Sequence, residues 1–132
     1  MVESDDMTDR EMILAFDCPP SAIRALDESD VARGVVYCTT ESVAVLTREV
    51  TAHQPAVVVL GISSGRDSTL DTIDVIHAVL KTTPIIVIAA DDSLELERNC
   101  REKSIFYYLV EPIDRSELKA VIESALQFAR KL

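Results

Sequence analysis

The alternation of short β-branched runs with amphipathic segments along 132 residues predicts an α/β fold: one parallel sheet covered by helices on both faces. Three observations carry this. The runs PAVVVLGI (55–62) and PIIVIAA (84–90) are apolar at successive positions, as in strands buried on both sides. The segments between such runs place apolar residues three and four apart, the helical period. The strand–helix order repeats five times with short connections, which requires right-handed crossovers between parallel strands.

Residues 1–10 are polar and expected to form an acidic N-terminal tail, leaving 11–132 as a single domain. MILAF (12–16) is the first strand, halted by Asp17-Cys18-Pro19-Pro20, and a short helix over 21–29 follows, with Ile23 and Leu26 on one face. GVVYC (34–38) is a second strand, half-buried because it lacks strict alternation. A helix over 40–53, with Thr39 and Thr40 as caps, carries Val43, Leu46 and Val50 and ends at Pro55. The third strand, AVVVLGI, leads through the loop SSGRDST to a helix over 70–81 with Leu70, Ile73, Ile76, Val79 and Leu80 as its stripe. After the fourth strand, Asp92 and Glu95 have capping-box spacing, and Leu96 and Cys100 face inward from that helix. IFYYLV (105–110) is the fifth strand. The last helix opens at Asp114, with Glu117 three residues on, and buries Leu118, Val121, Ile122, Ala125 and Leu126.

With 13 Lys and Arg against 23 Asp and Glu, the formal charge is −10. That balance repels phosphate backbones and anionic lipid, so neither direct nucleic-acid binding nor membrane binding is expected. No apolar run approaches the roughly 20 residues of a membrane span. The acidic start lacks the features of a signal peptide. Cys18, Cys38 and Cys100 are an odd number without CxxC spacing, which suits free thiols in a cytoplasmic setting.

From Ile13 to Leu126 the chain resembles the receiver domains of two-component response regulators. The resemblance rests on PIIVIAADDSLELERNCREKSIFYYLVEPIDRSEL (84–118), on QPAVVVLGI (54–62) and on TLDTIDVI (69–76). It implies a flavodoxin-like, doubly wound, five-stranded sheet in the order 2-1-3-4-5. It also implies a phosphorelay chemistry in which an aspartate takes up a phosphoryl group. An acidic pair holds Mg²⁺ there, and a hydroxyl and a lysine bind the phosphoryl oxygens.

Carried over position by position, the nucleophile falls on Gly61 and the acidic pair on Asp17 and Cys18. The hydroxyl falls on Ala89 and the lysine on Glu111. Only Asp17 keeps the family's chemistry. The chain is therefore similar to a degenerate pseudo-receiver, expected to act through protein contacts without phosphorylation and without catalytic residues. Tyr108 falls on the family's switch aromatic, and with Ala89 in place of the hydroxyl a fixed ring is expected. The resemblance places the partner face, and a homodimer contact, on the fourth helix, fifth strand and fifth helix, with Glu95, Arg98, Arg101, Lys103 and Tyr108. The sequence shows no output segment, so the domain acts alone or as a piece of a longer regulator.

Two alternatives remain. An unorthodox phosphoacceptor, Asp67 or Asp71, would lack the lysine and the hydroxyl. Cys18 to Arg24 spells Cys-x5-Arg, the spacing of the phosphatase cysteine loop, and would make the protein a small flavodoxin-like enzyme. Pro19 and Pro20 remove two donors such a loop needs, and Asp17 disfavours the thiolate, so a chance match is the better account. No cofactor is expected; Asp17 and Glu111 are weak candidates for Mg²⁺ or Ca²⁺. Asp91 and Asp92 are read as helix caps, and His53 and His77 as surface or capping residues.

Overall fold

The computed structural model describes residues 12–28, 34–38, 42–62 and 68–131. The expected tail over 1–10 lies outside them, as do Thr39, Thr40 and Asp67. The order is β1 (Met12–Phe16), α1 (Pro20–Glu28), β2 (Gly34–Cys38), α2 (Val43–His53), β3 (Val57–Ile62), α3 (Ser68–Val79), β4 (Ile85–Ala89), α4 (Leu94–Glu102), β5 (Tyr107–Val110) and α5 (Arg115–Arg130). The strands form one sheet, β2-β1-β3-β4-β5, with every neighbouring pair parallel. This is the doubly wound flavodoxin-like arrangement.

Every residue of β3 and β4 is buried, which is why neither alternates in polarity. One core layer joins Ile13, Val59 and Ile88 of the sheet to Ala22 and Leu26 of α1 and to Leu118 and Ile122 of α5. The other joins Leu14, Leu60 and Val87 to Leu46 of α2, Ile73 and Ile76 of α3 and Cys100 of α4. Burying a single Leu or Ile of this kind contributes about 1.5–3 kcal/mol, so the two central strands anchor the fold. β2 and β5 are the sheet's edges and keep exposed residues, among them Tyr37 and Tyr107.

Caps fix most helix starts, and two differ from expectation. Ser42 caps α2, its side chain accepting from the Val45 N–H at 3.1 Å. Ser93, not Asp92, caps α4, accepting from the Leu96 N–H at 3.2 Å. A hydroxyl one residue later reaches the third helical N–H, so Asp91 and Asp92 stay exposed in the β4–α4 connection. Asp114 caps α5 as expected, accepting from Ser116 at 2.8 Å and Glu117 at 3.2 Å. On α3, Val79 is 36% exposed rather than part of the stripe. Leu80, four residues after Ile76, packs in its stead. No helix among the described residues is long and apolar enough to cross a membrane.

Candidate functional site

In a doubly wound sheet, ligands sit beyond the carboxyl ends of the strands where the winding reverses. Here that point lies between β1 and β3. Beyond Phe16 the backbone turns at Asp17, whose φ of 52° is left-handed, a conformation that Asp tolerates better than most residues. The Asp17 N–H donates to the Cys38 carbonyl at 3.1 Å, which keeps the turn against β2. The Pro19 carbonyl then accepts from Ala22 and Ile23, each at 3.0 Å, and α1 begins.

This turn lies directly on Gly61. A Cβ placed at Gly61 would meet the Asp17 carbonyl oxygen at 2.3 Å, the Asp17 carbonyl carbon at 2.8 Å and the Cys18 Cα at 2.9 Å. All three are main-chain atoms, so no side-chain rotation relieves the overlap. Gly61 carries no side chain because main chain fills the space a side chain would occupy. Cys18 follows inward: its Sγ lies 3.8 Å from the Val59 carbonyl, and the residue packs against the α1–α5 core layer. Burial, reinforced by the neighbouring Asp17 carboxylate, pushes its thiol up to about 12. A thiol of that kind is neutral and a poor nucleophile at physiological pH. Arg24 sits within α1, so the six residues from Pro19 to Arg24 run into helix rather than forming an anion-cradling loop.

The remaining positions gather along the same edge. Ala89 is fully buried in the α2–α3–α4 layer, and its carbonyl accepts from the Glu111 N–H at 2.9 Å. The Ser21 hydroxyl donates to Glu111 Oε2 at 3.2 Å, tying the β5–α5 connection to the first turn of α1. The Glu111–Pro112 peptide is cis. Sequence reasoning missed Ser21, because nothing local signals a bond between residues 90 apart.

The residues present do not fit the cation such a corner would hold. Asp17 is the only carboxylate left from the three positions where the resemblance puts acids. Among the described residues, no three His, Cys, Asp or Glu side chains come together as metal ligands. Asp71 lies in the first turn of α3 and is exposed.

Tyr108 corrects the expected partner face. It is 6% exposed and points into the α2–α3–α4 layer, so it is no part of an outer surface. Its register opposite Val87 on β4 puts it under α4, while the preceding Tyr107 is 36% exposed and bonds Glu117 at 3.2 Å. Among the described residues the buried Tyr108 hydroxyl has no hydrogen-bond partner, and burial pushes it up to about 12. On α4, Glu95, Arg98 and Arg101 are exposed; Arg101 pairs with Glu97 at 2.9 Å and Lys103 with Asp74 at 2.8 Å. Leu94 at the helix start is 69% exposed. His77 is bonded to the Lys103 carbonyl at 3.0 Å and His53 to Glu49 at 3.1 Å, and both residues are half-buried.

A second feature lies beyond β1 and β2: a cavity of about 480 Å³ lined by Ala15, Asp17, Cys18, Ile23, Tyr37, Cys38, Val45 and Glu49. The Tyr37 hydroxyl donates to Asp27 at 2.6 Å, which fixes the ring as one wall. Of its lining residues the sequence singles out Asp17, Cys18 and Cys38, none of them as part of a cavity.

Solved structures place the fold. The signal receiver domain of an HD domain-containing protein from Pseudomonas fluorescens Pf-5 is similar over 93% of this chain and 99% of its own, at a TM-score of 0.76 and 19% identity. The receiver domain of a modulated diguanylate cyclase from Desulfovibrio desulfuricans G20 is similar over 92% and 98%, at 0.72 and 18% identity. The fold is that of a receiver domain. A CheY-like protein (tadZ) from Pseudomonas aeruginosa PAO1 shares the receiver fold over 88% of this chain and 99% of its own, at 0.70 and 14% identity. No family model and no curated protein matches the sequence.

Proposed function

We propose that this receiver-fold domain is a pseudo-receiver: a cytoplasmic signalling module that acts through protein–protein contacts and is not itself phosphorylated. One observation carries the reading. The main chain of Asp17 and Cys18 fills the place where a side chain at position 61 would stand, 2.3 Å from any Cβ. Phosphoryl transfer to an aspartate depends on positioning and charge neutralisation at that point. Gly61 supplies no nucleophile, Ala89 no hydroxyl, and Glu111 brings negative charge where a cation is needed.

The alternatives have weaker support. Asp71 is exposed on α3; the lysine within its electrostatic reach, Lys103, is bonded to Asp74 at 2.8 Å, and the position of the family's phosphate-binding lysine is Glu111. A Cys18 enzyme would need a thiolate that burial and Asp17 both oppose. The face we assign to the partner, or to a second copy, is the outer side of α4 with β5 and α5: Leu94, Glu95, Arg98, Arg101, Lys103 and, in place of Tyr108, Tyr107. Its placement rests on fold analogy. The charge of −10 argues against direct contact with nucleic acid or anionic lipid.

The deciding experiment incubates the protein with acetyl phosphate and Mg²⁺, or with a phosphohistidine donor, and reads the intact mass. We expect the mass to stay unmodified. A stoichiometric acyl-phosphate adduct would overturn the reading.

A further inference from the structure

Among the helices of this fold, α4 is held by the fewest side chains. It buries one residue, Cys100, where each of the others buries at least two and α5 buries five. Five of its nine residues are charged, Glu95, Glu97, Arg98, Arg101 and Glu102, and its first residue, Leu94, stands in solvent. A helix of nine residues is not stable alone in water and relies on such packing. Its polar ties are also uneven along its length. The Ser93 cap and the Arg101–Glu97 pair lie within the segment itself. The ties to another element sit at its far end: Lys103 meets Asp74 of α3 at 2.8 Å, and the Lys103 carbonyl is bonded to His77 of α3 at 3.0 Å.

Beneath α4 lies the Tyr108 hydroxyl, buried and without a hydrogen-bond partner among the described residues. The ionisable groups within its electrostatic reach, Cys100, Glu97, Asp92 and Arg101, all belong to α4 or to the connection before it. With α4 closed, that hydroxyl has lost water and gained no bond; with α4 lifted, water returns to it. The closed position carries a penalty that the lifted one does not.

We propose that α4 is a latch: it lifts as one unit about Lys103 while the sheet and the other helices stay folded, and the unbonded Tyr108 hydroxyl favours the lifted state. Segments held by few buried side chains are the ones that open below the global unfolding free energy. The latch has a regulatory use. The outer side of α4 carries Leu94, Glu95, Arg98 and Arg101, so a partner docked there binds only the closed form, and the fraction closed sets its apparent affinity. That use rests on the reading of this side as the partner face; the opening itself does not.

Amide hydrogen exchange of the ¹⁵N-labelled full chain, followed by NMR, is the test. The amides of Glu97 to Glu102 should exchange together, about 100-fold or more faster than those of β3 and β4. Low urea should leave the α4 rates almost unchanged, because lifting one short helix exposes little surface. Ala90 and Phe106, bonded to Ile62 at 3.0 Å and to Ile85 at 2.7 Å on either side of the helix, should stay protected. Tyr108→Phe should slow α4 exchange about fivefold, as removal of one unsatisfied neutral hydroxyl requires. Exchange of α4 as slow as that of β4, rates graded residue by residue from Leu94, or protection lost at Ala90 and Phe106 as well overturns the latch. Unchanged α4 exchange in Tyr108→Phe overturns the part given to the hydroxyl. If that variant misfolds, the pattern along the unaltered chain decides the matter alone. Failure here leaves the acetyl phosphate result untouched, and an acyl-phosphate adduct beside the expected exchange pattern would sink the pseudo-receiver reading alone.

Discussion

Replacing Gly61 with alanine adds one methyl group at the point where the β1–α1 turn rests on β3. The new carbon would stand 2.3 Å from the Asp17 carbonyl oxygen. Ordinary contact begins beyond about 3.4 Å, so main chain must move by about 1 Å. The turn is not free to yield cheaply. Asp17 already holds a left-handed φ of 52° and its N–H is bonded to Cys38 at 3.1 Å, while Cys18 is packed into the core. Gly61 itself has ordinary strand geometry, so alanine's smaller unfolded-state entropy would favour the variant by about 0.4–1 kcal/mol. Overpacking against fixed main chain costs about 1–3 kcal/mol or more, and we expect it to win by about 2 kcal/mol. Urea unfolding measures this: at a slope near 1.5 kcal/mol/M, the midpoint should fall by about 1 M or more. Gly61→Asp should lose at least as much and gain no acyl phosphate. An unchanged Gly61→Ala midpoint, or a Gly61→Asp protein that is both stable and phosphorylated, would refute the crowding argument.

Four further outcomes follow from the same structure. Tyr108→Phe removes a buried hydroxyl that has no partner among the described residues, and should raise stability by about 1 kcal/mol in urea unfolding; a loss of that size would show that the hydroxyl is satisfied. Cys18 should alkylate with iodoacetamide far more slowly than a free thiol, since a rise from 9.0 to about 12 cuts its thiolate fraction by about three orders of magnitude; Cys18→Ala identifies its signal in peptide mass mapping. The same shift has a stability consequence. Cys18 and Tyr108 bind their protons more tightly folded than unfolded, so their contribution is complete below about pH 9 and drains away as the pH climbs towards 12, which urea midpoints at pH 8 and pH 11 would record. Asp114→Ala removes the two hydrogen bonds that open α5 and should cost about 1 kcal/mol.

The strands were the most legible part of the sequence. β1 and β2 fall on MILAF and GVVYC, and the apolar runs of β3 and β4 announce burial on both faces. Helix starts were legible to within three residues: α2 opens at Val43 rather than 40, and at α4 both Asp92 and Ser93 qualify as caps and only the third N–H decides between them. The two adjacent tyrosines of β5 were ambiguous for a different reason. Which of Tyr107 and Tyr108 points inward depends on register with β4, and nothing within YYLV sets that register. At the site, the glycine was visible and its cause was not. Side-chain patterns record what packs; they do not record where a backbone carbonyl approaches another strand. The Ser21–Glu111 contact escaped for the same reason, since it belongs to the fold and not to either segment.

On the reading proposed above, the positions that the resemblance maps to the phosphorylation site also support one another, which argues against treating them as independent. Without a carboxylate at 61, the Asp17–Cys18 turn can settle onto β3; once it has settled, no carboxylate fits. Cys18 in place of an acid allows the turn to bury a side chain against the α1–α5 layer, where an ionised group would be costly. Ala89, fully buried, lies on the sheet face that holds the Tyr108 ring, and Glu111 finds the Ser21 hydroxyl instead of a phosphoryl oxygen. Each of these residues makes a structural contact at the position where the resemblance would put chemistry. Groups in contact couple, so restoring them one at a time should give destabilised proteins rather than graded recovery of phosphorylation. A Gly61→Asp, Cys18→Asp double variant is the sharpest form of this. If its stability loss is smaller than the sum of the two single losses, the turn and the strand yield together, and the closed corner is one cooperative feature.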